Sequence, residues 1–393
     1  MYKKLLITIV AMTLPAMATA ATANGQGDIT WSAMTGLGYD SNAYQAPRAP
    51  YTDYSLVTPV LVTPQKKSGF FVPYEIKVDS AKNRDQDSRL LWSASADGNL
   101  YLGAGLSNAS DYNLRLRGGT EYVMAREGKL EDTLYVGALV GNHKQVYVDH
   151  DDGTNKTTTL GGRDISGLYS YTSFGVEAKY KHKTGDLEYG FNGQYRLNDY
   201  ENPAGAPQQD HSYYTLGADA SVPVASKTNL NLSFDHSVRD YSNRHSRDLQ
   251  AAFTTSLLAY TYNTFSTTLR TRISPEWVLY LDFDQGHRAD NNVGYGDYKE
   301  NRYGARLLYA QGPIKTRLAF HHWGRDYPNA YAFDVLGQAA KTYSGNDLKF
   351  KAELEQDKNS AYWAELVYRA QSTTDLRYDY VRTQIMAGLS WAY

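Results

Sequence analysis

The sequence predicts an all-β protein: one closed antiparallel β-barrel of about 16 strands, with roughly 14 to 18 compatible with the pattern. Three observations support this class. Apolar and polar side chains alternate with a period of two, and short connections between strands alternate with long ones. After the first twenty residues, no segment approaches the ~18 consecutive apolar residues of a spanning helix. The chain has no Cys, and its formal net charge of −2 gives no indication of a nucleic-acid partner.

The first twenty residues have the pattern of an export signal. Lys3 and Lys4 precede an apolar run at 5–12, and Ala18 and Ala20 frame a small-residue cleavage site. We therefore expect a Sec-type signal peptide at 1–20, with cleavage after residue 23 as the alternative. The segment 21–28 is then a short periplasmic N-terminus, and 29–393 is a single transmembrane barrel.

Alternation defines the strands one by one. In the segment 276–287, Trp277, Leu279 and Leu281 take one face, whereas Tyr280 and Asp282 take the other. Successive side chains of a strand point to opposite faces, so this pattern indicates a wall with one apolar and one polar side. Sixteen such segments are predicted, at 29–40, 69–80, 88–101, 111–124, 132–148, 167–182, 186–199, 211–222, 228–241, 261–273, 276–287, 298–310, 314–325, 346–355, 361–371 and 379–391.

Connection lengths separate a barrel from a soluble sandwich, which also alternates. The connections after even-numbered strands are short, at 183–185, 223–227, 274–275, 311–313 and 356–360. Those after odd-numbered strands are mostly longer, at 41–68, 149–166, 200–210, 242–260 and 326–345. Tight turns on one side and long loops on the other are typical of barrels in the outer membrane, which have an even strand number.

The last strand carries a further signal. Together with the export signal and the Tyr-rich strands, the segment 382–393 resembles the C-terminal strand of Gram-negative outer-membrane β-barrel proteins, a porin-like class. In that class a terminal strand ending in an aromatic residue is recognised by the barrel-assembly machinery, and Ile385, Leu389, Trp391 and Tyr393 occupy the matching positions. The resemblance implies residence in outer-membrane lipid and contact with that machinery. It identifies no subfamily.

Lipid explains the aromatic content, because Tyr and Trp rings settle at the boundary between hydrocarbon and headgroups. The candidates for two such girdles are Trp31, Trp92, Tyr122, Trp277, Trp363 and Trp391. Of these, Trp363 shares a face with Glu365 and Arg369, so we expect it to point inward.

The inner face is where a function would be encoded, and its predicted lining is charged. The candidates are Arg115, Arg117, Arg196, Arg239, Arg270, Arg272, Asp282, Asp284, Arg302, Arg306, Lys315, Arg317, Lys349, Lys351, Glu353, Arg369 and Arg382. Basic residues lead on this face, which favours the passage of anions. A ladder of cross-strand ion pairs that stiffens the wall explains the same residues.

The first long loop, 41–68, contains Pro47, Pro50, Pro59 and Pro64 around an apolar stretch. Prolines exclude this stretch from the middle of a sheet. One hypothesis is that the loop folds inward and narrows the pore. The alternatives are an extra wall strand or an ordered extracellular flap.

The candidate catalytic and ligand-binding groups are neighbours in the sequence. Pairs such as Asp235 with His236, or His321 with His322, are adjacent and therefore split across the wall, so we expect no enzyme, cofactor or metal site. A calcium site around Asp149, Asp151, Asp152 and Asn155 is the weaker alternative to a solvated loop tip.

Acid–aromatic pairs such as Asp199–Tyr200 and Asp240–Tyr241 suit sugar recognition, although Tyr at the interface beside Asp in water explains them equally. Two function classes follow. One is a channel or porin-like conduit for small solutes or an anionic polymer such as a polysaccharide. The other is a non-conducting scaffold, surface-binding module or assembly partner with a sealed lumen.

Overall fold

Sixteen of the strands form one closed antiparallel barrel, which confirms the predicted fold class and strand number. The computed structural model describes residues 28–55, 57–103, 105–128, 130–145, 168–202 and 208–393. The predicted signal peptide and nearly all of the segment 21–28 lie outside this range. In the described part of the chain, no helix is long and apolar enough to cross a membrane.

The wall consists of β1 and β4–β18, each paired with its neighbours along the chain. β1 pairs with both β4 and β18, so the first and last strands of the wall close the ring. The wall strands are β1 (Asp28–Asp40), β4 (Gly69–Asn83), β5 (Ser88–Tyr101), β6 (Asp111–Glu127), β7 (Leu130–Lys144), β8 (Tyr171–Thr184), β9 (Leu187–Tyr200), β10 (His211–Ala225), β11 (Thr228–Arg247), β12 (Phe253–Arg272), β13 (Trp277–Asp290), β14 (Tyr298–Gln311), β15 (Ile314–Tyr331), β16 (Ala340–Glu355), β17 (Ser360–Thr373) and β18 (Tyr380–Ala392).

The two ends of the barrel differ as the sequence predicts. At the end where β1 begins and β18 finishes, seven turns have two to four residues each, and we call this the short-turn end. The eight connections at the opposite, long-loop end have five to 28 residues. Two predicted loops are wrong in extent. The segments 242–260 and 326–345 are mostly strand, because β11 continues to Arg247 and β15 continues to Tyr331.

The seam between β1 and β18 shows why small residues are needed in the wall. Gly36 and Gly388 face each other across the seam, and Trp363 lies next in the same row. A Cβ on Gly36 would lie 2.9 Å from the Trp363 ring and 2.2 Å from the Ala387 carbonyl oxygen. Trp363 is only 3% exposed, so it points inward as expected. Glycine on both strands makes room for this ring.

The outer face carries the apolar side chains. Leu37, Phe174 and Ile385 are each more than half exposed, as are many residues of the same stripe. Trp92, Tyr122 and Trp277 are also exposed on this face, and Trp31 stacks on Tyr393 at 4.7 Å between ring centroids. An apolar outer surface with every wall strand paired on both sides meets the requirement that hydrocarbon places on a backbone.

Candidate functional site

The inner face of the wall holds all 17 of the predicted charged positions, because the register places each of them opposite the exposed apolar stripe. For example, Arg115 and Arg117 on β6 alternate with the exposed Leu114 and Leu116. These charges fall into two groups with different surroundings.

The first group is ion-paired and lies mainly on β13–β18. The Arg306 guanidinium donates two hydrogen bonds of 2.9 Å to Asp282. Other cross-strand pairs on this side are Lys349–Glu365 at 2.8 Å, Arg369–Asp347 at 3.7 Å, Arg382–Asp40 at 2.6 Å, and Lys315–Glu355. Lys351–Glu353 at 2.5 Å and Arg302–Glu300 at 3.9 Å are pairs two residues apart on one strand. Arg117–Glu177 adds a pair between β6 and β8. This part of the wall has the cross-strand ladder that one interpretation of the sequence predicts.

The second group has no such partners. Among the described residues, no carboxylate lies within 4.0 Å of Arg115, Arg196, Arg239, Arg270, Arg272 or Arg317, and Asp284 has no cation within that distance. Four of these arginines lie on β9–β12. The barrel therefore has a paired side and a side whose positive charges are uncompensated.

Aromatic rings line the inner face near the long-loop end, and the sequence analysis missed them. Neighbouring rings lie 4.8–6.3 Å apart, strand after strand. The rings are His143, Tyr171, Tyr200, His211, Tyr241, Tyr260, Tyr298, Tyr327, Tyr343 and Tyr378, which we call the aromatic arc. Arg288 bridges its two halves, with its guanidinium carbon 4.1 Å from the Tyr260 centroid and 4.5 Å from that of Tyr298. The signal was available, since tyrosines recur at the inward positions of successive strand ends.

The arc changes the interpretation of the acid–aromatic pairs. Asp199, Asp240 and Asp326 are exposed on the outer face, whereas the following tyrosines point inward. A carboxylate and the ring beside it in sequence therefore do not face one ligand, because adjacent residues of a strand lie on opposite sides.

A cavity of about 450 Å³ lies inside the arc. Its lining is rich in positive charge: Arg239, Arg244, Arg247, Arg288 and Lys341 against two carboxylates, Asp290 and Asp334. One of these carboxylates is already engaged, because Asp290 accepts backbone hydrogen bonds of 2.6–2.9 Å from residues 292, 294 and 296. The cavity therefore presents three more positive than negative side chains.

The other carboxylate, Asp334, belongs to a cluster at the long-loop end of the lumen, which we call the mouth. This cluster consists of Asp334, Lys341, Asp375 and Arg377, and we call it the latch cluster. Arg377 donates two hydrogen bonds of 2.8 Å to the fully buried Asp375. Lys341 lies 3.2 Å from Asp334 and 3.6 Å from Asp375. Burial alone would raise the pKa of Asp334, but the positive charges of Lys341, Arg247 and Arg377 lower it overall.

The Pro-rich loop 41–68 docks on this cluster. It contains a separate two-stranded sheet, β2 (Tyr51–Asp53) and β3 (Val60–Val62), which does not join the wall. The extra-strand alternative is therefore wrong, and the even strand count stands. Tyr51 packs on Phe333, with 6.0 Å between ring centroids, and Arg48 pairs with Asp379. β2 and β3 form a flap over the long-loop ends of β15–β18, whereas Ala43 and Tyr44 pack against Phe71 and Tyr101 at the ends of β4 and β5. Narrowing of the pore by this segment stays a prediction.

Groups for acid–base or metal chemistry are dispersed. Asp235 faces inward and His236 outward, and His321 and His322 also point to opposite sides. Where the structure describes the chain, no cluster of three or more His, Asp or Glu could hold a metal ion. The suggested calcium loop, 149–155, lies outside the described residues.

Comparison with known proteins supports the fold. No protein-family profile and no curated protein matches the sequence. OmpT of Vibrio cholerae is similar in structure, with a TM-score of 0.50 at 9% identity, covering 95% of this chain and 99% of that one. An anion-selective porin from Comamonas acidovorans has a TM-score of 0.47 at 10% identity, covering 94% of this chain and 100% of the other. OccAB1 of Acinetobacter baumannii has a TM-score of 0.45 at 12% identity, covering 93% and 97%. Such identities show the fold alone, which is that of outer-membrane β-barrels.

Proposed function

We propose that the protein is a channel in the outer membrane of a Gram-negative bacterium, reached after Sec-type export, and that it conducts anions in preference to cations. The expected preference for anions rests on one observation. The cavity inside the aromatic arc, which we call the mouth cavity, is lined by five cationic side chains and two carboxylates. A pore lined by fixed positive charge lowers the barrier to anions and raises it for cations. The apolar outer face and the two different ends support residence in such a membrane, with the long loops outside.

The arginines suit this role because aromatic rings hold them in place. Arg288 lies against three rings of the arc, and Arg244 lies 5.2 Å from the Tyr241 centroid. A guanidinium stacked on a ring keeps its charge and the hydrogen-bond donors at its edge. The solute implied is a small anion or an acidic polymer such as a polysaccharide.

Reversal potentials in planar lipid bilayers under a KCl gradient test the proposal. The purified barrel is expected to favour chloride, and R239Q with R288Q is expected to reduce that preference. R84Q, in the short turn 84–87, is the matched control with an unchanged preference. Cation preference in the wild type, or equal selectivity in all variants, would overturn the charge argument.

The second candidate is a barrel with a sealed lumen that acts as a scaffold or surface-binding module. The docked flap and the latch cluster favour it, since both lie at the mouth. The same bilayer experiment separates the two: a sealed barrel gives no current until residues 48–66 are removed.

We also infer that the barrel-assembly machinery recognises β18 through Ile385, Leu389, Trp391 and Tyr393. Ile385 and Leu389 lie on the exposed face of the strand, and the Tyr393 backbone exchanges two 2.8 Å hydrogen bonds with Trp31. Truncation of Tyr393 therefore tests recognition and closure together, and W31A tests closure alone.

A further inference from the structure

We propose that Arg196, Arg239 and Asn198 form a binding site for an acidic saccharide, one whose sugar rings carry both a carboxylate and hydroxyl groups. This proposal rests on the proposed channel, and it names the substrate class and the residues that bind it. It concerns the inner wall at the junction of β9, β10 and β11, where Arg239 also lines the mouth cavity.

The two arginines lie on either side of one tyrosine in the same row. Tyr213 on β10 pairs in register with Arg196 on β9 and with Arg239 on β11. Their guanidinium carbons lie 5.4 Å and 5.7 Å from the centroid of the Tyr213 ring. Arg239 also lies 5.5 Å from the centroid of Tyr262, so rings hold this guanidinium from two strands.

Neither guanidinium has a carboxylate within 4.0 Å among the described residues, and Arg239 Nη1 donates only a long hydrogen bond of 3.3 Å to the Tyr241 hydroxyl oxygen. The Nε atoms of Arg196 and Arg239 are buried and have no hydrogen-bond acceptor among the described residues. The acids on the inner face of β8–β11 are Glu177, Glu188, Asp219 and Asp235; all lie toward the short-turn end, and Glu177 is already paired with Arg117. Asp235 is four residues from Arg239, roughly 13 Å along the strand. A desolvated charge without a partner is unfavourable, and a carboxylate supplied by a ligand relieves that cost.

A buried hydrogen-bond acceptor without a donor, the Asn198 side-chain oxygen, lies two residues beyond Arg196 along β9, toward the mouth. The His211 Nδ1–H donates to the Gln209 carbonyl oxygen at 2.7 Å, so Nε2 of this neutral imidazole accepts. The Asn198 amide nitrogen donates to that Nε2 at 2.7 Å, which leaves the Asn198 Oδ1 directed elsewhere, buried and without a donor. A hydroxyl group beside the ligand carboxylate satisfies this oxygen.

The combination distinguishes ligand classes. Chloride or sulfate engages the two arginines but brings no hydroxyl donor for Asn198. A neutral sugar brings hydroxyls but leaves both charges unpaired. A uronic acid supplies both groups on one ring, and an oligomer of uronic acids also reaches the arginines of the cavity above, such as Arg244 and Arg288.

Blockade of the chloride current by hexagalacturonate tests the site, with maltohexaose and sulfate as comparison ligands. The wild-type barrel is expected to be blocked by hexagalacturonate at least tenfold more strongly than by either comparison. R196Q and R239Q are each expected to weaken the block about tenfold, which corresponds to about 1.4 kcal/mol. R239K keeps the charge but not the planar donor edge, so it is expected to retain anion preference and still lose the block.

R272Q is the matched control, because Arg272 is another inner-face arginine without a carboxylate partner, at the short-turn end. Blockade of the R272Q channel by hexagalacturonate is expected to stay within about twofold of wild type, since Arg272 lies outside the site. Equal blockade by maltohexaose or sulfate, or an unchanged block in R196Q and R239Q, would overturn the site.

Titration calorimetry of hexagalacturonate into the detergent-solubilised barrel gives a readout that does not need conduction. Binding that R239Q abolishes, in a barrel that passes no current, supports the site and rejects the channel. An anion-selective current without binding rejects the site and leaves the channel.

Discussion

Asp40 stabilises the seam at which the barrel closes, and its neutralisation is expected to be one of the most damaging single changes in the wall. The carboxylate is fully buried and accepts hydrogen bonds from three side chains on two other strands. Tyr101 on β5 donates at 2.5 Å, and on β18 Arg382 donates at 2.6 and 2.9 Å and Gln384 at 3.1 Å. Asp40 and Arg382 are 342 residues apart, so this contact forms only when the ring closes.

The expected loss of stability in D40N follows from the charge of Arg382, which this substitution leaves without its partner. The Arg382 side chain is 12% exposed, so removal of its partner strands a nearly buried cation. Breaking a buried pair on one side costs about 3–5 kcal/mol, or roughly two to three and a half orders of magnitude in the folding equilibrium. The control D79N removes the pair of Asp79 with Lys77, whose side chains are 43% and 51% exposed, and is expected to cost about 0–1 kcal/mol.

Urea unfolding of the barrel in lipid vesicles, followed by tryptophan fluorescence, measures both variants. The double variant D40N/R382M is expected to be more stable than D40N alone, because it removes the stranded charge together with its partner. A cost for D40N within about 1 kcal/mol of that for D79N would refute the reasoning, as would a double variant whose cost is the sum of the single changes.

Three further predictions use other parts of the wall. W31A removes the ring that stacks on Tyr393, which is expected to cost about 0.5–1.5 kcal/mol of stability beyond the lost buried area and to lower the fraction of barrel that stays folded in unheated gel samples; equal gel patterns for W31A and wild type would contradict this. G388A places a Cβ 2.0 Å from a backbone oxygen across the seam, whereas G193A finds its nearest atom at 3.6 Å, so urea titration is expected to show a loss for the first and almost none for the second. The lowered pKa of Asp334 stabilises the latch cluster fully above about pH 4, and this contribution is lost as the pH falls through the lowered pKa; protease cleavage of the flap is therefore expected to rise in acid, and D334N to be sensitive at every pH.

The alternation of side chains was sufficient to predict the wall, because lipid on one side and water on the other impose it locally. The predicted strand 88–101 coincides with β5 for this reason. Beyond the membrane, water contacts both faces and the alternation disappears, which is why the sequence predicts loops at the long-loop ends of β11 and β15. The strands stay paired there, but no alternation of apolar and polar residues indicates the pairing in the sequence.

The candidate site was less accessible to sequence reasoning, because it depends on register. Alternation assigns Arg196 and Arg239 to the inner face, but only the pairing of β9, β10 and β11 brings both beside Tyr213. The same holds for the ion pairs: Arg306 has Asp282 within reach through the register of β13 and β14, whereas Arg239 has no acid at its level. Sequence therefore shows which charges face inward, and register decides which of them are neutralised.

This division accommodates both interpretations of the charges: the ion-pair ladder on the paired side and, under the proposed function, attraction of anions on the other. A wall of β-strands needs cross-strand contacts to keep its register, and ion pairs supply them where no solute has to be recognised. Where the charges meet a solute, pairing within the wall would cancel the attraction. Stacking on aromatic rings is then the alternative support, because it orients a guanidinium without neutralising it. The part of the aromatic arc on β9–β12 lies on the side whose arginines have no carboxylate partner, and there the tyrosines replace the carboxylates as the partners that position arginine.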